Sequence, residues 1–157
     1  MIRRLASVAG AVILVFAGAL LAVVWRDVLI DPVTATVVVG LVLTSLLWIT
    51  GSLADSVSIG RGALPWNVFV GAGNVVLSVA VVLLTVRSAI DTGTESAWLI
   101  AAAMLAGGTS LSWQGVQIAV DSRHVDLEAT PSSGRVLAVA LLVAGAFGVG
   151  LLAGTVV

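Results

Sequence analysis

The chain has 157 residues, of which 60% are apolar and 10% charged; its formal net charge is −1 and its mean hydropathy +1.21. Soluble domains carry about a quarter charged residues, so this inventory cannot build a water-facing surface around a core. The near-neutral charge and the lack of a basic run leave no electrostatic footprint for nucleic acid, and the absence of cysteine excludes disulfides, thiolate metal sites and cysteine nucleophiles.

Five apolar stretches, 5–25, 33–53, 67–86, 97–120 and 136–157, lack charged residues in their interiors. Each is long enough to cross a hydrocarbon core about 30 Å thick, which takes about 20 helical residues. The predicted fold class is all-α: one polytopic transmembrane bundle of five helices over 1–157. Barrel strands are excluded because the stretches are too long and do not alternate polar with apolar residues.

The first stretch follows Arg3 and Arg4, and Ala17-Gly18-Ala19 offers a small-residue cleavage site like that of a secretory signal. It extends well past the roughly 7–15 apolar residues of a signal sequence, so a retained helix is predicted; cleavage would leave four. Before the second helix, Asp31-Pro32 reads as an N-cap followed by a proline at the first helical position. The segments 26–32, 54–66, 87–96 and 121–135 read as connectors. Ser132 or Ser133 would cap the fifth helix, in which Gly150 and Gly154 form a GxxxG pair suited to close helix packing and self-association.

Arg3, Arg4, Arg61, Arg123 and Arg135 fall on one side of such a bundle, and Arg26 and Arg87 on the other. This bias predicts a cytoplasmic N-terminus and an external C-terminus in a cell membrane. Trp25 and Trp98 would then lie at the outer interface, with Trp48, Trp66 and Trp113 near the inner one. All seven basic residues are Arg, which with the abundant Ala, Val and Gly points to a prokaryotic source.

A duplicated hairpin is suggested by the words Thr44-Ser45-Leu46-Leu47-Trp48 and Thr109-Ser110-Leu111-Ser112-Trp113. Each follows an Arg and an Ile-Asp pair, and Gly10-Ala11 precedes Arg26 at the distance by which Gly71-Ala72 precedes Arg87. The copies would share one orientation, as in parallel-repeat membrane proteins.

The third helix carries Asn67, Gly71, Asn74, Ser78 and Thr85 on one face. The fourth carries Ser110, Gln114, Gln117 and Asp121, extended backward by Ala103 and Gly107. Unpaired amides in hydrocarbon cost several kcal/mol, so the two stripes are predicted to face each other as a polar seam of Asn74, Ser78, Ser110, Gln114 and Gln117. Asn74 and Gln114 lie about 10 Å from the same side of the bundle at 1.5 Å per residue, which predicts a hydrogen bond between them. Such a seam either glues helices or lines a path for a small solute, and the lack of an ionisable group at depth favours glue.

His124-x-Asp126-x-Glu128 has the spacing of no recognised metal motif and reads as a solvated connector. No P-loop, GxSxG or HExxH is present. Asn74 followed by Gly107-Gly108-Thr109-Ser110 falls short of the small fluoride-channel family, whose second threonine, phenylalanine and early Gly/Arg motif have no counterpart here. The expected function is a non-enzymatic structural or accessory role, without cofactor or metal, in which the chain packs in the bilayer with copies of itself or with another membrane protein. A scaffold embedded in a viral envelope falls in this class. The alternative is a small channel or transporter with a polar path between the third and fourth helices.

Overall fold

The computed structural model describes residues 2–59 and 62–120; the segment 136–157, with Gly150 and Gly154, and the 121–135 connector lie outside them. The described chain is an all-α bundle of four helices with one short hairpin: α1 (Ile2–Ile30), α2 (Pro32–Leu53), β1 (Ser56–Ile59), β2 (Gly62–Pro65), α3 (Trp66–Thr92) and α4 (Glu95–Ala119). Consecutive helices pack against one another, α1 on α2, α2 on α3 and α3 on α4. Three helical stretches, Leu5–Ile30, Pro32–Leu53 and Trp66–Thr92, are long and apolar enough to cross a membrane. α4 has the length, but Thr109, Ser110, Ser112, Gln114 and Gln117 dilute its second half.

Helix ends depart from the sequence expectation where charged residues read as loop. α1 continues through Arg26 and Asp27 to Ile30, after non-helical backbone at Val24 (φ −104°, ψ 20°). It stops there because a residue preceding proline is pushed out of helical backbone, and Asp31 precedes Pro32. Asp31 caps α2: its carboxylate accepts from the Val33 N–H (3.3 Å), the Thr34 N–H (3.2 Å) and the Thr34 hydroxyl (2.6 Å). α3 likewise continues past residue 86 to Thr92, with Arg87 paired to Asp91 one turn on (2.8 Å). Gly93 ends it in left-handed backbone (φ 66°), and Thr94 caps α4 through the Ala97 N–H.

The 54–66 segment, expected as a plain connector, holds the antiparallel pair β1–β2 with Ser56 opposite Pro65 and Ile59 opposite Gly62. Ser-Val-Ser-Ile alternates with period two and is followed by Gly60, a signal that the helical reading passed over. The Trp66 N–H donates to Asp55 O (3.1 Å), which ties the hairpin base to the start of α3.

The burial pattern is inverted relative to a soluble domain. The largest fully buried side chains are Thr44 and Ser45, both 0% exposed, and the remaining buried residues are chiefly Ala, Val and Gly. Leu, Ile, Val and Phe side chains of α1, such as Val15, Phe16, Val23 and Ile30, lie exposed. Trp48 and Trp66 pack against a cluster of Ala6, Val70 and Ile118, so these two rings fill core as well as marking an end; Trp113 is 66% exposed. The repeated words also differ in surroundings. Thr44 and Ser45 are buried and Trp48 packs inward, whereas Thr109, Ser110 and Trp113 are exposed.

A helix crossing and a cavity lined by amides

The α3–α4 contact is set by glycine. A Cβ placed on Gly71 would fall on Gly115 O and within 2.8 Å of Ala119, and one on Gly115 would lie 2.6 Å from Gly71 O and 2.9 Å from the Asn74 Cβ. The backbones therefore touch, which only residues without a side chain permit. Trp48 exploits the same absence at Gly73: its ring lies where a Cβ would be, and its Nε1 donates to Val70 O (3.3 Å).

This crossing decides which face of α4 meets α3. Gly108, Ser112, Gly115 and Ala119 repeat the spacing of the polar stripe but point the other way, since Ser110 and Ser112 are about 200° apart around the axis. The small row takes the contact. Ser78 bonds Ser112 (Oγ to Oγ, 2.6 Å) rather than Ser110, and Gly108 packs on Val82. Asn67, buried near the start of α3, donates from Nδ2 to Ile118 O (3.0 Å) and Ala119 O (3.2 Å) at the end of α4. These carbonyls belong to the last turn of α4, and Ile118 O also accepts from the Val120 N–H. Sequence reading placed Asn67 on the right face but left it out of the seam, because its backbone acceptors carry no side-chain signal.

The other stripe of α4 lies outward. Ser110 and Gln114 are exposed, Gln117 is half-buried, and Gly107 has no atom within 4 Å of a would-be Cβ. Asn74 and Gln114 nevertheless share one feature, a cavity of about 260 Å³ where α1, α2, α3 and α4 converge. Its walls include Ala6, Trp48, Val70 and Ile118, and none of the described residues that line it is charged. Asn74 is 8% exposed, and among the described residues its amide makes no hydrogen bond, to Gln114 or to any other group. Of the predicted seam, then, Asn74 and Ser78 face inward, Asn74 and Gln114 meet at the cavity, and Ser110 and Gln117 join neither the cavity nor the Ser78 bond.

At the opposite end of the bundle the charged groups pair near the surface. Arg87 approaches Asp31 (3.8 Å) as well as Asp91, and the Arg26 guanidinium sits 5.2 Å from the Trp25 ring centre. The Thr34 hydroxyl bond is the main influence holding the Asp31 carboxyl below its usual range, aided by the two backbone N–H groups and by Arg87, with partial desolvation opposing. Among the described residues no group of three or more His, Asp and Glu could hold a metal ion.

No curated protein and no solved structure matches the chain. A family profile matches residues 1–131, which include all four described helices. The chain therefore belongs to that family, a family of unknown function (DUF7994).

Proposed function

We propose that the chain is a multi-pass protein of the cell membrane with a structural or accessory role and no enzymatic activity. It presents the outer stripe of α4 to another helix, from a second copy or from a partner membrane protein. The observation that carries this reading is the stripe itself: Ala103, Gly107, Ser110 and Gln114 are exposed along one side of α4. In hydrocarbon, unpaired hydroxyl and amide groups cost several kcal/mol, and small residues admit a close neighbour. A helix laid along this side answers both requirements. The arginine bias supports a cytoplasmic N-terminus, and the segment 136–157 supplies a fifth crossing in this reading.

A channel along the α3–α4 seam is the competing reading. The Gly71–Gly115 contact leaves no lumen there, and Asn67 and Ser78 spend their polar groups on α4 itself. Coupled transporters also use ionisable groups at depth, and the charges of the described helices lie near their ends.

The absence of native cysteine makes the test direct. Gly107→Cys, at a position with open space around it, is expected to form a disulfide-linked dimer in oxidised native membranes; Val23→Cys, on the exposed side of α1, is not. A Gly107→Cys chain that stays monomeric under conditions that cross-link Val23→Cys would remove the self-association form of the reading. Solute flux through proteoliposomes of wild-type protein, abolished by Asn74→Leu, would replace it with transport.

A further inference from the structure

Buried amides are nearly always paired, because leaving one unpaired costs its full desolvation. Asn74 breaks that rule. It is more than nine-tenths buried, lines the four-helix cavity, and has no hydrogen-bond partner among the described residues. A second amide, Gln114, stands on the same cavity. The hydroxyls bordering a neighbouring cavity differ, since Ser78 and Ser112 satisfy each other. A buried amide at an apolar, open-sided cavity is a recognition element.

The chemistry of the occupant follows from the lining. Among the described residues no charged side chain faces the cavity, so an ionised head would meet no counter-charge from them. Ala6, Val70, Ile118 and Trp48 offer apolar contact, and each amide offers one donor group and one acceptor. The volume of 260 Å³ accommodates a single ring or a glycerol ester head with the start of its chain, not a whole lipid. Asn74 lies about 12 Å along α3 from Trp66.

We propose that this cavity is a binding site for a neutral, membrane-soluble molecule headed by carbonyl or hydroxyl oxygen, which Asn74 and Gln114 hold by hydrogen bonds while its apolar part rests on Trp48, Val70 and Ile118. Two sources supply such a head: a quinone ring and a diacylglycerol. Asn74 belongs to the fold of one chain, whereas Gln114 is shared with the outer stripe of α4, so a partner helix laid on that stripe would bear on the Gln114 arm alone.

The full-length protein in detergent micelles, titrated with decylubiquinone and followed by tryptophan quenching, tests this. Saturable quenching is expected, lost in Trp48→Phe, with affinity about tenfold weaker in Asn74→Leu and severalfold weaker in Gln114→Leu. Displacement by dioctanoylglycerol assigns the site to glycerol esters as well as quinones; failure to displace restricts it to quinones. Decanoate, ionised at pH 8, is expected not to compete. Quenching that rises without saturating, affinity unchanged in both leucine variants, or equal competition by decanoate would overturn the proposal. If Asn74→Leu fails to fold, Gln114→Leu decides alone, because that side chain is exposed at the cavity rim.

Discussion

α3 and α4 carry polar stripes of the same spacing, and the fold uses them in opposite ways. On α3 the stripe of Asn67, Gly71, Asn74 and Ser78 is entirely buried. On α4 the matching stripe of Ser110 and Gln114, with Ala103 and Gly107, lies exposed, and the contact goes to Gly108, Ser112, Gly115 and Ala119. Periodicity identifies a face of a helix; it does not say what that face meets. Backbone approach settles the choice here, because the Gly71–Gly115 crossing admits no other row of α4.

The contrast predicts a graded set of effects. Gly115→Leu is expected to be the most damaging change, since its side chain would occupy space held by the α3 backbone. A loss of about 3 kcal/mol or more, or failure to accumulate folded protein, should appear in detergent unfolding. Asn67→Leu, which removes both bonds to the end of α4, should cost about 1 kcal/mol in the same assay. Ser78→Ala should cost about 0.6 kcal/mol, with a non-zero coupling to Ser112→Ala in a double-mutant cycle. Ser110→Ala, on the outward stripe, should leave unfolding of the isolated chain within about 0.5 kcal/mol of wild type. A Ser110 effect as large as that of Ser78 would erase the distinction between the stripes.

The Asp31 cap adds a pH dependence at the other end of the bundle. Its folded pKa lies below the ordinary value of 3.8, so the folded state binds its proton less readily than the unfolded one. The contribution is therefore fully present above the unfolded value and is lost as the pH falls through the folded one. Thermal stability in detergent is expected to fall on acidification below about pH 4. Asp31→Asn should keep the cap at neutral pH and lose its share of that acid response.

Much of the architecture is legible in residues whose chemistry is local. Asp31-Pro32 marks the α1–α2 junction because a cap and a proline act on their own backbone, and the apolar stretches locate all four described helices. The extensions of α1 to Ile30 and of α3 to Thr92 are less visible, since charged residues at helix ends resemble loop in a hydropathy reading. The hairpin is visible only to a period-two search of 56–59. The partner of Ser78 was beyond sequence reasoning: Ser110 and Ser112 are equally polar, and their separation depends on a glycine contact between distant segments. Asn74 is the reverse case. Its position on a buried face follows from spacing, but its lack of a hydrogen-bond partner among the described residues is a property of the packed helices.

The orientation of α4 is the central claim, and the cysteine-free chain allows it to be read from one pair of variants. Under mild oxidation in membranes, Ser78→Cys with Ser112→Cys should form an intramolecular disulfide, because the two hydroxyls they replace are 2.6 Å apart. Ser78→Cys with Ser110→Cys should not. A bridge in the Ser110 pair and none in the Ser112 pair would contradict the account, turning the polar stripe of α4 inward and leaving its glycine row without a partner.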